Sequence, residues 1–440
     1  MPANRDTYTR LRRRIDEFPV VDCHEHAHGP QNAPENREPI AYLVAGTYLE
    51  SDLESVIYPG FGCAYAERRI ADQGMATEDK WPLFEPLWQR SRHTAYARVA
   101  ARVLRDVYGE PEMSLAALQR IRERLLDLRD PAVYRGVLER ASIRCRLANL
   151  EPTPKGFLSG EFQVYELDRL VIDLSPYYDL RSWQSIWDVA QGVGAPVTSL
   201  GGYVDACRET FRRMRARGAV AMKNCAAYQH PLAYGNPTRA EAEQPFNACL
   251  ADPRRSLGSP EARPLEDYLF HRFVEMAREL EMPVQIHTGH MAGIRNDIAK
   301  TNAVQLIPLL ELHRDVRFDL FHGNWPYLGE YLYLGKNYPN VSLDLCWLPM
   351  IDPVYARNLL SEGLTAVPHS KIHAFGGDLG DTVLHAVAHL ALARDVVAAA
   401  LADQVESGWI GEDEALGIAA DWLYNNPNAY FALGLAPFRP

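Results

Sequence analysis

Cysteine is scarce in this sequence. The seven cysteines (Cys23, Cys63, Cys145, Cys207, Cys225, Cys249 and Cys346) are odd in number, scattered over 440 residues and never spaced as Cys-x-x-Cys. That argues against a disulfide scaffold or a thiolate zinc cluster and predicts reduced core thiols in a cytoplasmic protein. Surplus positive charge is missing too. Lys and Arg number 46 against 57 Asp and Glu, for a formal net charge of −11. Nucleic acid and anionic membranes select basic surfaces, so neither is expected as a partner. No uninterrupted apolar run approaches the roughly 18 residues of a membrane span. Residues 1–17 are polar and Arg-rich and lack the apolar segment of a secretory signal. Internal repeats and low-complexity segments are also absent.

What is present is the composition of an ordinary globular chain, 47% hydrophobic and 23% charged. A charged helix at 6–17 leads into a strand at 18–23. Pro30, Pro34 and Pro39 then mark a loop. Beyond it lie helical patterns: a segment opening at Trp81-Pro82, then Tyr96, Val99, Val103, Leu104 and Val107, then Leu115, Leu118, Ile121, Leu125 and Leu126. A structureless loop of that length is improbable, so residues 30–130 are expected to form a helical insertion, either a lid or an oligomer interface. After a helix at 131–140 the pattern changes. Strands are expected at 143–150, 169–174, 219–224, 283–287, 316–321, 341–345 and 372–375. Helices are expected at 203–217 (closed by Gly218), 265–280, 303–313, 327–338 and 354–360, and from the strand at 372–375 to the end. A long loop holds Pro231, Pro237, Pro245 and Pro253. Eight strands alternating with helices predict an α/β fold, a single (β/α)8 barrel spanning 1–440 with its insertion after the first strand.

The first strand ends in Asp22-Cys23-His24-Glu25-His26. Residues two apart on a strand share a face, so His24 and His26 aim at one point with Glu25 turned away. Two converging imidazoles are half of a divalent metal site. Barrels of this kind carry their chemistry at the C-terminal ends of the strands. Those positions hold Lys223-Asn224, His287-Thr288-Gly289-His290, His322-Gly323-Asn324, Asp344 and Gly376-Gly377-Asp378. Each has a plainer role open to it: a helix cap for Asp378, an ion pair for Lys223, a carboxylate orienting another side chain for Asp344, loop positions for His28 and His290. His385 and His389 are four apart but lack the Glu of a His-Glu-x-x-His site. Tyr228, Arg295, Trp325 and Trp347 closely follow strand ends and are candidate substrate contacts with His290, Arg295 as a carboxylate clamp.

The segments Asp22-x-His24-x-His26, Gln285-Ile286-His287-Thr288-Gly289, Phe321-His322-Gly323, Asn340-Val341-Ser342-Leu343-Asp344 and Phe375-Gly376-Gly377-Asp378 resemble the amidohydrolase superfamily. The resemblance is to its amidohydrolase-related branch of metal-dependent (β/α)8 enzymes, and it runs from 18 to 435 outside the long loops. The closing stretch 425–434 is similar to the helix that ends many members, and the insertion is similar to the extra helices of uronate isomerases. The resemblance implies that His24, His26 and His287 ligate one divalent metal, with Asp378 as a fourth ligand or neighbour of its water. Zinc is expected first, with manganese or iron also compatible. It implies that His322 is an acid/base, and that Lys223 is either the carboxylated lysine of binuclear members or, as expected here, free.

A metal with an open position acidifies water, Asp378 can accept the proton, and His322 can polarise a carbonyl or hold an oxyanion. The expected function is a metal-dependent hydrolase, in a homo-oligomer, cleaving an amide or lactone C–N or C–O bond of a small polar substrate. The alternative is a non-hydrolytic member, a uronate-type isomerase or a decarboxylase. The arginine-bearing sugar-acid motif of uronate isomerases is not found.

Overall fold

Eight short apolar segments become eight parallel strands: β1 (Val20–Glu25), β2 (Ile143–Leu150), β3 (Asp168–Asp173), β4 (Ala221–Asn224), β5 (Val284–Ile286), β6 (Phe318–Leu320), β7 (Val341–Asp344) and β8 (Ile372–His373). The computed structural model describes residues 5–26, 29–35, 38–57, 69–150, 164–194, 196–380 and 382–440. Each strand pairs with the next in sequence order. Just past β8, Phe375 accepts from the Cys23 amide at 3.0 Å, which brings the last strand back to the first. The result is a nearly closed (β/α)8 barrel, as the alternation of strands and helices predicts. Strands in such a barrel are covered on both faces, and the described strand residues are almost all buried, even polar ones such as Asp22, Arg146 and Asp319.

Helices cover the outside, among them Leu200–Ala216, Ser259–Glu279, Leu328–Asn337 and Pro353–Ala366. The stretch after β1 is helical as expected, with Pro39–Val44, Leu49–Ser55, Thr77–Ser91, Ala95–Tyr108 and Leu115–Ile121. Thr94 and Ser114 cap the last two by accepting from the amides of Ala97 and Ala117. Phe84, Val99, Val103, Leu104, Leu118 and Ile121 are fully buried and join the same apolar cluster as Ile286 and Leu359 of the barrel. The insertion is therefore continuous with the main core.

Three helices depart from the sequence reading around proline, and Trp183–Val193 is a helix where none was expected. Thr77–Ser91 begins before Trp81 and carries Pro82 and Pro86 inside. Ser259–Glu279 begins with Pro260 in its first turn and carries Pro264. Arg239–Ala251 occupies part of the expected loop, started by a capping box between Thr238 and Glu241 and running through Pro245.

A further departure concerns length. Val383–Glu406 is long and apolar enough to cross a membrane, although no single run suggested it. His385, His389 and Arg394 interrupt the apolar residues in sequence, and all three are buried in the fold. The helix packs against Arg5–Ile15, Ala95–Tyr108 and Pro353–Ala366, so its apolar surface is mostly covered by the protein.

Candidate metal centre

The C-terminal rim of the barrel is where the backbone is most strained. Of eight described non-glycine residues with positive φ, five (Arg295, His322, Asn324, Trp347 and Asp378) lie on loops that follow β5 to β8. Such conformations persist only where the surroundings impose them, and they collect at functional sites. Gly289 shows how tightly the loops fit. A Cβ there would stand 2.5 Å from Asn324 C and Trp325 N, so only glycine lets the loop after β5 press against the loop after β6.

Three donor atoms converge on this rim. His24 Nε2 and His26 Nε2 are 3.3 Å apart, and Asp378 Oδ1 lies 3.5 Å from the first and 3.2 Å from the second. Ligands about 2.0–2.1 Å from a tetrahedral zinc ion stand roughly 3.3 Å from one another, so the donor set has the spacing a divalent metal requires. His322 Nε2 is 3.7 Å from Asp378 Oδ2 and 3.1 Å from His287 Nδ1. His287 is thus set one step from the converging atoms, facing His322, while its Nε2 meets the His290 carbonyl at 2.7 Å.

The protons can be counted. Burial, with Lys223 adding to it, holds His322 down to about 3 and opposes the pull of Asp378; burial, His322 and Lys223 hold His287 well below the ordinary histidine value. Both rings are neutral at pH 7, with one N–H each. His322 Nδ1 must donate to the Cys346 carbonyl at 2.9 Å, and His287 Nε2 to the His290 carbonyl. The two nitrogens that face each other across 3.1 Å, His287 Nδ1 and His322 Nε2, are therefore both bare. His24 is also held well below its ordinary value by burial and by Lys223, and its buried Nδ1 has no hydrogen-bond partner among the described residues. Burial alone would raise Asp378, but the hydrogen bond from His26 and the imidazoles of His24 and His322 keep it well below the usual carboxylate range. A concentration of bare lone pairs around an ionised carboxylate fits a cation.

The rim opens on a cavity of about 430 Å³ lined by His26, Tyr48, Asp173, Lys223, Tyr228, His287 and Asp378 among others. Lys223 is buried, with Nζ 3.9 Å from the centroid of the Phe321 ring. Tyr228 places its ring 4.8 Å from His287. His290 stands between Trp325 and Trp347, at 5.4 and 5.0 Å. Trp325 donates to Asp352 at 3.4 Å and Trp347 is buried. Arg295 is exposed on its loop and does not line the cavity, and His28 falls outside the described residues.

Sequence reasoning missed Tyr48, from the inserted segment, whose hydroxyl donates to the Asp378 carbonyl at 2.6 Å and whose ring packs 4.2 Å from Trp347. It also missed Asp173, although the C-terminal end of β3 was a readable position. Glu25, expected to turn away, is fully buried beneath the centre beside Asp22. Burial pushes Asp22 up to about 6, and burial together with Asp22 raises Glu25 well above the usual carboxylate range.

Asp344 does orient a neighbour: its Oδ1 accepts from the Cys346 amide at 2.7 Å, and the carbonyl of Cys346 holds His322. Cys23, Asp344 and His373 also bring donor atoms together deeper in the barrel. There a proton fills the role of the cation. Burial opposes it, but Asp319 at 3.1 Å and Asp344 at 3.7 Å raise His373 to about 9.

Comparisons with known proteins bear on the fold that carries this site. The glucuronate isomerase of Caulobacter crescentus has a similar structure at 19% identity and TM-score 0.77, covering 100% of this chain and 97% of that one. The uronate isomerase of Thermotoga maritima is similar at 14% identity and TM-score 0.76, covering 98% of each. A protein of Lactobacillus casei provisionally described as a metal-dependent hydrolase is similar at 15% identity and TM-score 0.65, covering 96% of this chain and 98% of its own. At these identities the likeness is one of fold. Protein fluG of Emericella nidulans is 29% identical over 185 residues, 40% of this chain, so the match spans about a fifth (21%) of that longer relative. The amidohydrolase family model matches residues 203–430, more than half of the 440, and the chain belongs to that family.

Proposed function

We propose that this protein is a metal-dependent hydrolase that cleaves a C–N or C–O bond, an amide or a lactone, in a small polar substrate. The observation that carries the reading is the convergence of His24, His26 and Asp378 donor atoms at 3.2–3.5 Å beside a cavity of substrate size. His24, His26 and Asp378 would hold one divalent ion, zinc first. When bound, such an ion supplies Lewis acidity, polarising a carbonyl and making water a better nucleophile at neutral pH.

The protein's own groups divide the remaining work. Asp378, ionised at neutral pH, accepts the proton of the attacking water and returns it to the leaving group. With its N–H committed to Cys346, His322 offers only a bare Nε2 to the site and has no proton to donate to an oxyanion. Lys223, whose side chain lines the cavity, is the donor available for developing negative charge.

A uronate-type isomerase is the second reading, favoured by structural neighbours that match over 98–100% of this chain, inserted helices included. A sugar acid needs a cationic clamp, and the described residues lining the cavity include one lysine, Lys223, and no arginine. That observation ranks hydrolysis first. The test is a screen of amides and lactones with the zinc-, manganese- and iron-loaded protein in ¹⁸O-labelled water. One solvent oxygen per product molecule is expected. An aldose–ketose interconversion, or carbon dioxide release without label, overturns the proposal.

A further inference from the structure

Three consecutive amides of the arc that carries Asp378 are all received by β1. Gly377 N–H donates to Asp22 Oδ1 at 2.9 Å, and Leu379 N–H donates to Glu25 Oε2 at 2.9 Å. Between them the Asp378 amide donates to the His24 carbonyl at 2.8 Å, and the His26 amide donates back to the Leu379 carbonyl at 3.3 Å. Asp22 and Glu25 are 0% exposed, and their two carboxyls are hydrogen-bonded to each other. Both crowd Gly377, where a Cβ would stand 3.3 Å from Asp22 Oδ2 and 1.7 Å from Glu25 Oε1.

Strict alternation along β1 would put Glu25 on the opposite face from Asp22. The pairing of β1 with β2 shifts register between these two residues, and that irregularity accompanies the departure from alternation. Asp378 itself sits at φ 55, a left-handed conformation that a non-glycine residue keeps only when its neighbours enforce it.

We infer that Asp22 and Glu25 are positioning residues: together they clasp the arc 377–379 onto β1 and hold Asp378 across from His24 and His26. The inference rests on the metal-centre reading above. Neither carboxyl touches the converging donor atoms. Their effect passes through the backbone of the arc, since a ligand displaced by a fraction of an ångström no longer completes the set. What the clasp needs is an acceptor oxygen of the right reach, not a charge. The amide variants Asp22→Asn and Glu25→Gln keep such an oxygen, whereas Glu25→Ala removes it and Gly377→Ala drives it away without deleting anything from β1.

The experiment is chelator competition for Zn²⁺, with the visible spectrum of the Co²⁺ form and the unfolding midpoint of the metal-free protein measured in parallel. Wild type and His26→Ala come first. A wild type that takes up no metal, or a His26→Ala protein that binds as wild type does, overturns the metal centre itself. With those two behaving as expected, Asp22→Asn and Glu25→Gln should bind within threefold of wild type. Glu25→Ala and Gly377→Ala should bind 10- to 100-fold more weakly, the range typical when support behind a ligand is lost. Their Co²⁺ spectra should change, while the metal-free midpoints move little. If the alanine variants do not fold, Glu25→Asp carries the same expectation, because it keeps the carboxyl and shortens its reach. Affinities within threefold of wild type in Glu25→Ala or Glu25→Asp overturn the clasp, as does a tenfold loss in Glu25→Gln.

Discussion

Asp378 shows how one side chain can be shared between binding and chemistry. Its Oδ1 faces His24 and His26, its Oδ2 faces His322, and its ionised state is secured by the imidazoles around it. Replacing a single oxygen by NH₂ separates the two roles. In Asp378→Asn the remaining oxygen still completes a neutral donor set, but an amide does not accept a proton at neutral pH. The expected outcome is that most of the bound metal is retained while kcat falls about 100- to 10,000-fold, the usual contribution of a positioned base. Elemental analysis of the variant and initial rates on the substrate found by the screen check both halves. Unchanged turnover removes Asp378 as the proton acceptor.

At the scale of elements, strands β2 and β3 are joined away from the rim by a buried ion pair. Arg146 donates to Asp168 through Nε at 2.8 Å and Nη2 at 3.0 Å, and through Nη1 to the Tyr134 hydroxyl at 2.9 Å, with both charged side chains 0% exposed. Removing one partner strands the other charge in the interior, so Asp168→Ala should lose about 3–5 kcal/mol of unfolding free energy in guanidinium titration. A loss below 1 kcal/mol contradicts the pair's structural role.

The same scale explains what could be read in advance. Most strands were legible because a short apolar-rich segment ends at or just before a polar residue, and the centre was legible where its ligands are close in sequence, as in His24-x-His26, or follow a strand closely, as with Asp378. Arg239–Ala251 was hidden because Pro237, Pro245 and Pro253 suggest a loop, even though Thr238-x-x-Glu241 is a capping box. Glu25 was misdirected by alternation, which the irregular β1 does not keep. Tyr48 reaches Asp378 across 330 residues of sequence, and no local pattern carries that information.

At the scale of the whole molecule, the barrel carries a histidine at its centre whose proton is held more tightly than usual, and the donor set for a cation at its rim. His373 lies between Asp319 and Asp344, and its folded value of about 9 is above the roughly 6.5 of an unfolded chain. A raised value of this sign contributes stability in full below pH 6.5, and the contribution is lost as pH rises through 9. His373→Gln should therefore be less stable than wild type by about 3 kcal/mol at pH 6, with the gap closing by pH 9 in paired denaturant titrations. A gap that widens with pH contradicts the assignment. The rim is tested most directly by anomalous scattering from crystals of the zinc-loaded protein. The account predicts one strong peak within bonding distance of His24 Nε2, His26 Nε2 and Asp378, absent in His26→Ala. A peak elsewhere in the chain, or none at full zinc occupancy, contradicts it.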